Sequence, residues 1–164
     1  MSISLEQFLD QTAKRGSWYG GGSASALTGA LAAALLEKLL SRPQDVKPVR
    51  ALRNRCFDFV ERDATAFARV IEAYYQHDYS AAKLALKEAI EVPVRVYAVA
   101  TRVLTTAKRL SRSIRPQYRS DLRCAMSLAS ASRTSARAFI VTNLKWLGDP
   151  AHARRIERRL ARVR

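Results

Sequence analysis

Apolar residues recur at spacings of three and four through most of the chain, and this pattern constrains the fold more than any other feature. Between about Val46 and Gln76 the pattern includes Cys56, Val60, Phe67 and Val70. This spacing places side chains on one face of a helix. Nowhere do β-branched and polar residues alternate over the length of a strand. The sequence therefore predicts an all-α helical bundle of five or six helices, several of them long.

Prolines and glycines divide the pattern into segments with short connections. The predicted helices run from Ser4 to Gly16, from Ser23 or Ser25 to Leu40, from Val46 to Gln76, from Tyr79 to Ser111, from Ser120 to Gly148 and from Ala151 to Arg162. Pro93 falls inside the fourth segment, where it removes one backbone donor and should kink the helix. Since there is no internal repeat or low-complexity linker, we expect residues 1–164 to form a single domain.

The charge of the chain is unevenly distributed. Residues 1–100 hold 13 Lys and Arg against 11 Asp and Glu, whereas residues 101–164 hold 16 against 3. A solvated basic surface is the favoured interpretation. A polyanionic partner is the alternative, either nucleic acid or a small ligand with several carboxylates. Nucleic acid is not favoured, because the sequence contains no nucleic-acid-binding motif and no aromatic residues interleaved with the basic ones.

Composition also bears on location. The longest apolar run, from Ala24 to Leu36, is too short to cross a bilayer, so no membrane span is predicted. The N-terminus lacks a basic region followed by an apolar core, which predicts no secretory signal. Cys56 and Cys124 lie in helical segments and are expected to be buried free thiols. These features together predict a cytoplasmic protein.

Asp63 is the most informative polar residue. It lies between Val60 and Phe67 in the apolar stripe of the third helix, so its carboxylate should point toward the core or a cleft. A buried carboxylate needs a partner, a raised pKa or a ligand. An ion pair with Arg62 or Arg69 would be purely structural, and sequence alone leaves the structural and functional interpretations equally open.

The stretch from Gly20 to Ser23 precedes the alanine- and leucine-rich helix directly. It does not match a phosphate-binding loop, since no strand precedes it and no Lys-Ser or Lys-Thr follows. What remains is a tight turn that leads into a helix N-terminus. Exposed backbone N–H groups and the positive end of the helix dipole make such a turn suited to a carboxylate or carbonyl group.

Other polar residues have simpler explanations. Asn143 lies on the apolar face of the fifth helix, where a hydrogen bond between helices is the more ordinary role. Ser120 and Asp121 open the same helix and match ordinary capping and dipole chemistry. His77 and His152 lack the spacing of metal ligands, so no metal site is predicted. No Ser, Thr or Cys has an evident base partner for nucleophilic catalysis.

Taken together, six segments resemble the cyclodeaminase/cyclohydrolase family, which handles reduced folates. They are "SLEQFLDQTA", "GGGSASALTGALAAALL", "DATAFARVIEAY", "AIEVPVRV", "SDLRCAMSLASAS" and "NLKWLGD", in this order between about Leu5 and Asp149. The resemblance implies an all-helical, usually dimeric protein that binds reduced folate in a cleft near the glycine loop. It also implies one of two reactions: loss of ammonia from formiminotetrahydrofolate, or hydrolysis of the methenyl bridge to 10-formyltetrahydrofolate.

The resemblance also implies roles for particular residues. Asp63 and Asp121 are the candidate catalytic acids or bases. The candidate substrate-binding residues are Tyr19, Gly20, Gly21, Gly22, Ser23, Ser120 and Asn143. No permanently bound cofactor is expected, because the tetrahydrofolate derivative is itself the substrate. The expected partners are folate or polyglutamylated folate, whose carboxylates suit a basic surface, and a second copy of the chain.

This sequence departs from the family pattern at three positions that bear on activity. Tyr19 stands where the family usually has proline, and Phe139 and Val141 replace polar residues of an Asn-Val-Arg segment. Losing preorganised hydrogen bonds would weaken catalysis. Enzymatic activity is the favoured interpretation. The alternative is a catalytically degenerate member that acts as a helical binding or scaffold protein for a polyanionic partner.

Overall fold

The computed structural model describes residues 3–163. Within this part of the chain there are six α-helices and no strand, as the sequence predicts. The helices are α1 (Leu5–Ala13), α2 (Gly21–Lys38), α3 (Pro43–Tyr75), α4 (Tyr79–Leu110), α5 (Arg119–Leu147) and α6 (Pro150–Ala161). A 3₁₀ turn at Pro116–Tyr118 leads directly into α5. None of the described helices is long and apolar enough to span a membrane.

Helix α2 packs between α3 and α5, and one side of it faces α4. Its small residues allow this close packing. A Cβ added at Gly29 would lie 2.8 Å from Ser132 Oγ and 2.9 Å from Cys56 Sγ, so only glycine fits there without a shift. Ser132 also donates a hydrogen bond to the Ser25 carbonyl oxygen at 2.8 Å, which ties α5 to α2. The position of the glycine-rich turn is therefore fixed by both neighbouring helices.

Helices α3 and α4 form a long antiparallel pair of 33 and 32 residues. His77 turns the chain between them in the left-handed region, with φ of 56°. Asp78 then caps α4 by accepting a hydrogen bond from the Ala81 N–H at 2.9 Å. Pro93 is buried within α4. The helix continues through it without a break, from Tyr79 to Leu110. The expected kink at Pro93 stays a prediction.

Side chains of α6 complete a second apolar cluster at the far end of the bundle, where Ile156 and Leu160 pack with Val70 and Ile90. Arg159 on α6 donates to both carboxylate oxygens of Glu91 on α4, at 2.5 and 2.8 Å. This bidentate pair and the apolar contacts hold the basic C-terminal helix on the bundle.

Two local expectations are wrong. Helix α2 begins at Gly21, not at Ser23 or Ser25, because Gly20 serves as the N-cap in an extended conformation and the next two glycines are already helical. Cys124 is exposed, whereas Cys56 is buried as expected, and both are free thiols. Ser4 caps α1, because its side chain accepts a hydrogen bond from the Gln7 N–H at 3.1 Å.

Candidate active site

The glycine-rich turn ends at an uncapped helix N-terminus. Gly20, the N-cap of α2, has no side chain with which to accept a hydrogen bond from the first turn. The backbone N–H groups of that turn are therefore available to an acceptor from elsewhere. A carboxylate from α3 reaches this point.

That carboxylate belongs to Asp63, which is half-buried against the first turn of α2. The Ser23 hydroxyl donates to Asp63 Oδ2 at 2.9 Å, and the Ser23 backbone N–H donates to the same carboxylate. Gly22 lies so close that an added Cβ would overlap both carboxylate oxygens and Cγ. Residue 22 must therefore be glycine for Asp63 to occupy this place.

Burial raises the pKa of Asp63, and the two hydrogen bonds from Ser23 offset part of that rise by stabilising the ionised form. The structural alternative of an ion pair with Arg62 or Arg69 is not what the structure shows. Within residues 3–163 Asp63 makes no salt bridge, and Arg69 pairs with Glu88 at 3.6 Å. A carboxyl group with a raised pKa, held at a helix N-terminus, can accept or donate a proton to a ligand beside it.

Tyr19 braces the turn from the other side. Its hydroxyl donates to Glu61 Oε2 at 2.7 Å, and its ring packs edge-on against Phe8 with 5.6 Å between ring centroids. The hydrogen bond to Glu61, together with burial, raises the pKa of Tyr19 to about 12. Tyr19 therefore stays protonated and anchors the turn to α3.

Three aromatic residues beside the turn were not singled out as binding residues by the sequence. Trp18 is 46% exposed and contacts Phe67, itself 40% exposed, edge-on with 6.5 Å between centroids. Phe139 packs so closely on Gly21 that an added Cβ would lie 2.5 Å from its ring. Only Phe67 could have been recognised from the sequence, because it lies four residues after Asp63 and therefore on the same side of α3. The aromatic residues give the turn an apolar border.

Asn143 lies on α5 one turn beyond Phe139 and is half-buried. Its side chain makes no hydrogen bond within the described residues, so the expected bond between helices is not formed there. The amide is free to bind a ligand. Val141 is 49% exposed and lies on the outer surface, so only Phe139 of the two departures on this helix borders the turn.

Ser120 and Asp121 lie elsewhere. Asp121 occupies the first turn of α5 and pairs with Lys38, at the C-terminal end of α2, at 2.8 Å. Ser23 and Lys38 are fifteen residues apart, roughly 22 Å along a helix. Within one chain the two candidate catalytic aspartates are thus at opposite ends of α2. Ser120 is exposed beside Asp121, and Tyr118 takes the N-cap position that Ser120 could have filled.

Residues 3–163 contain no group of three or more His, Cys, Asp or Glu side chains placed to hold a metal ion. His77 lies in the turn between α3 and α4. His152 is buried near the start of α6, where Arg155 contacts its Nδ1 at 2.9 Å.

Fold and site together define an all-helical protein with a carboxyl group held at a glycine-rich helix N-terminus. The sequence pattern of the formiminotransferase-cyclodeaminase family matches residues 4–162, and the chain belongs to this family. It is 30% identical to a methenyltetrahydrofolate cyclohydrolase of Methylorubrum extorquens, with 92% of this chain and 83% of the relative covered. The crystal structure of a formiminotetrahydrofolate cyclodeaminase from Thermotoga maritima is similar, with a TM-score of 0.89 and 26% identity over 98% of this chain and 87% of the other.

Proposed function

We propose that this protein is an enzyme of folate one-carbon metabolism, acting as a formiminotetrahydrofolate cyclodeaminase or a methenyltetrahydrofolate cyclohydrolase. The observation that carries the proposal is Asp63, a half-buried carboxyl group with a raised pKa against the N-terminal turn of α2. The names of both relatives place their chemistry on a one-carbon unit carried by tetrahydrofolate, a methenyl group in one and a formimino group in the other. Both chemistries need a proton donor or acceptor at that unit.

In the hydrolytic reaction, Asp63 in its ionised form takes a proton from the water that attacks the methenyl carbon. The hydroxyl proton of the resulting adduct passes to N5 as the bond from that carbon to N5 breaks, which gives 10-formyltetrahydrofolate, and Asp63 releases the proton that it took to solvent. In the deaminating reaction, N10 attacks the formimino carbon and the N10 proton passes to the formimino nitrogen. Protonated Asp63 then supplies the further proton with which that nitrogen leaves as ammonia, and the methenyl bridge between N5 and N10 remains. A carboxyl group with a raised pKa can serve either role near neutral pH.

The surroundings of Asp63 support binding of the rest of the ligand. Gly21, which is exposed, presents backbone at the positive end of the α2 dipole, which suits a carbonyl or carboxylate oxygen. Trp18 and Phe67 offer apolar faces of a size suited to a pterin ring. Asn143 supplies an amide on α5 that makes no hydrogen bond within the described residues. No permanently bound cofactor is needed, since the tetrahydrofolate derivative is the substrate.

Turnover by the purified protein tests the proposal. We expect either loss of methenyltetrahydrofolate absorbance above its spontaneous rate or release of ammonia from the formimino compound. Circular dichroism checks that the sample is helical. A folded sample that turns over neither compound would overturn the proposal.

One observation favours a second candidate, a non-catalytic binding or scaffold protein. Phe139, which stands where the family has a polar residue, covers Gly21 at the turn itself. An apolar ring there excludes a hydrogen bond that a folate would otherwise find. This candidate predicts no saturable thermal shift with tetrahydrofolate, whereas the enzyme predicts one.

The proposal includes a homodimer. Leu31, at the centre of α2, is 52% exposed, and the half-buried Leu27 and Leu35 lie beside it, whereas most of the helix is packed in the bundle. The outer stripe of α5 is also uncharged, with Cys124, Ser127, Ala131, Ser135 and Ala138 exposed. For a chain of charge +15, an uncharged face is where a second copy can pack with the least repulsion.

A dimer of this kind also gives Asp121 a role. If the two α2 helices pack antiparallel about a two-fold axis near Leu31, the Lys38 end of one copy lies beside the Gly21 end of the other. Asp121, paired with Lys38, would then approach the neighbouring copy's glycine turn together with Ser120. The two candidate aspartates would serve one site from two chains.

The proposal also includes the folate tail and the location of the protein. The basic surface suits the carboxylates of a polyglutamylated folate tail. A cytoplasmic location fits two cysteines that form no disulfide. Comparing the affinities of mono- and polyglutamylated tetrahydrofolate at two salt concentrations tests the first point. A longer tail that gains no affinity at low salt would contradict it.

A further inference from the structure

The groove between α3 and α4 is lined by two rows of arginines. Arg55, Arg62 and Arg69 lie seven residues apart on α3, and Arg95, Arg102 and Arg109 lie seven residues apart on α4. Seven residues are almost two full turns, so each row keeps to one side of its helix and repeats at about 10.5 Å. All six side chains are exposed.

The two rows meet across the groove. Arg55, Arg62, Arg95 and Arg102 together line one cavity of about 480 Å³, over a floor that includes Phe59 and Val99. Adjoining cavities of about 360 and 400 Å³ continue the groove, the first toward Arg109 and the second toward Arg69. The arginines therefore border one extended groove.

Most of these arginines form no salt bridge, although Arg95 lies near enough to Glu91 to help lower the pKa of that carboxyl. Arg69 contacts Glu88 at 3.6 Å, but within the described chain the other five arginines make no salt bridge. Asp58 is the one carboxylate that borders the central cavity, whereas Glu61, Glu88 and Glu91 border the cavity at the Arg69 end, so the uncompensated positive charge lies over the central cavity and toward Arg109. Facing rows of like charge repel each other and add nothing to folding, and an anion seated between them would relieve that repulsion.

The lining of the groove distinguishes between anions. A single strand of nucleic acid needs exposed aromatic rings on which its bases stack, and the cavities are bordered instead by residues such as Ala51, Ala98 and Thr105. A duplex is too wide to enter between packed helices whose axes are about 8–10 Å apart. A third helix can lie along the surface groove formed by two helices at that distance, particularly where the side chains in the groove are small.

We propose that the α3–α4 groove binds an acidic amphipathic α-helix of a partner protein. Carboxylates seven residues apart on an α-helix repeat at the same 10.5 Å or so as the arginine rows, so both edges of such a helix pair in register with both rows. Its apolar stripe covers the small and apolar floor. The groove lies on the side of α3 that faces α4, whereas Asp63 faces α2, so this inference does not depend on the proposed catalytic function.

A designed peptide tests the proposal with the full-length protein. The probe is a fluorescent helix of about 21 residues, three heptads, with Leu and Ala at positions a and d and Glu at e and g. A control peptide has the same composition with the Glu residues moved to b, c and f. We expect saturable binding of the first peptide at low salt, weaker binding as salt rises, and at least tenfold weaker binding of the control.

Charge reversal locates the site. Arg62→Glu with Arg95→Glu should weaken binding of the peptide at least tenfold, and the milder pair Arg62→Gln with Arg95→Gln should weaken it less. The matched control, Arg154→Glu with Arg158→Glu, makes the same change of net charge on exposed residues of α6 and should preserve most of the affinity. Circular dichroism checks each variant for folding, and the glutamine pair covers the case in which charge reversal unfolds the protein.

Three outcomes would overturn the proposal. The first is no binding of the peptide at low salt. The second is equal loss of affinity in the groove and α6 variants, which would mean non-specific attraction. The third is tighter binding of a single-stranded RNA or of inorganic polyphosphate that depends on Arg62 and Arg95, which would assign the groove to a polyanion other than a helix.

Discussion

Two opposing effects set the pKa of Asp63. Asp63 serves as the cap that α2 lacks, since it accepts hydrogen bonds from the Ser23 hydroxyl and backbone N–H. Its burial favours the neutral form, and this effect is the larger, so the pKa of Asp63 is raised. Ser23 therefore controls how far the pKa of the candidate catalytic group rises.

Removing the Ser23 hydroxyl should raise the pKa of Asp63 further. The hydroxyl stabilises the ionised carboxylate, so in Ser23→Ala the ionised form is reached only at higher pH. If Asp63 acts as a base, the acidic limb of the pH dependence of kcat/KM moves to higher pH. The measurement is the pH–rate profile of each form with methenyltetrahydrofolate. A limb that stays in place, or that moves to lower pH, would contradict this role of Ser23.

Gly22 should be intolerant of any side chain. In Gly22→Ala the new Cβ overlaps the Asp63 carboxylate, and the strain should lower the free energy of unfolding by about 1–3 kcal/mol. Gly20→Ala is the matched control, because an added Cβ there meets nothing within 4 Å. Urea denaturation of both variants makes the comparison. Equal stabilities would show that Asp63 moves aside without cost.

Some site residues could be predicted from sequence and others could not, for reasons visible at this scale. Asp63 was found because a carboxylate in an apolar stripe is locally anomalous. Phe67 and Phe139 look like ordinary core residues in a helical pattern, and only the packing of α2 against two other helices places them at the turn. The separation of Asp121 from Asp63 is tertiary, and no spacing in the sequence encodes it.

At the scale of helices, the sequence predicted all six elements, because α2 is a continuous run of Ala and Leu and the other helices carry apolar residues at helical spacing. The predicted start of α2 was wrong, because glycine has a low intrinsic helix propensity and the pattern therefore placed Gly21 and Gly22 outside the helix. In the folded chain Asp63 stabilises that first turn from α3, which a local pattern cannot reveal. The C-terminal helix α6 was predicted, but the burial of His152 in its first turn was not.

His152 should make the docking of α6 sensitive to pH. Burial, followed by the nearby charges of Arg155 and Lys87, lowers its pKa in the folded protein, although Asp149 and Glu91 oppose this. The unfolded chain, in which the pKa of histidine is about 6.5, then binds the proton more readily. The contribution of neutral His152 to stability is therefore fully present above that pH. It is lost as the pH falls toward the lowered pKa that His152 has in the folded protein.

Thermal unfolding between about pH 7 and pH 5 checks this expectation. His152→Phe, which cannot titrate, should lose less stability than wild type over that window. The pKa values of Glu91 and Asp149 are lowered chiefly by the Arg159 side chain and by the backbone N–H of residue 152, which both proteins keep, so only the smaller Coulombic effect of His152 on Glu91 differs between them. Parallel pH dependences in the two proteins would show that His152 does not titrate on unfolding.

At the scale of the whole molecule, the uncharged face of α2 and α5 contrasts with the arginine-lined groove. We expect Leu31→Glu to convert the proposed dimer into a monomer, because it places a charge at the centre of an apolar contact. Light scattering after size exclusion measures the mass, with Leu84→Glu, a change at another exposed leucine, as the control. A wild-type monomer, or a Leu31→Glu dimer, would contradict the assigned interface.

Mixing two inactive variants tests whether one site uses both chains. Asp63→Asn and Asp121→Asn, unfolded together and refolded, form mixed dimers in about half of the cases by random association. Each mixed dimer has one intact site of two, so the mixture should recover about a quarter of wild-type activity. If each site is contained in one chain, no mixture regains activity.

The most direct measurement is the steady-state turnover of methenyltetrahydrofolate and formiminotetrahydrofolate by wild type and Asp63→Asn under the same conditions. Proton transfer by a positioned group contributes about 10²–10⁴-fold to a rate, so Asp63→Asn should lose at least about a hundredfold in kcat. Asparagine can still accept the hydrogen bond from Ser23 and should keep the fold and the thermal shift with tetrahydrofolate. Equal turnover by the two folded proteins, or none by wild type, would contradict the assignment of Asp63 as the proton-transferring group.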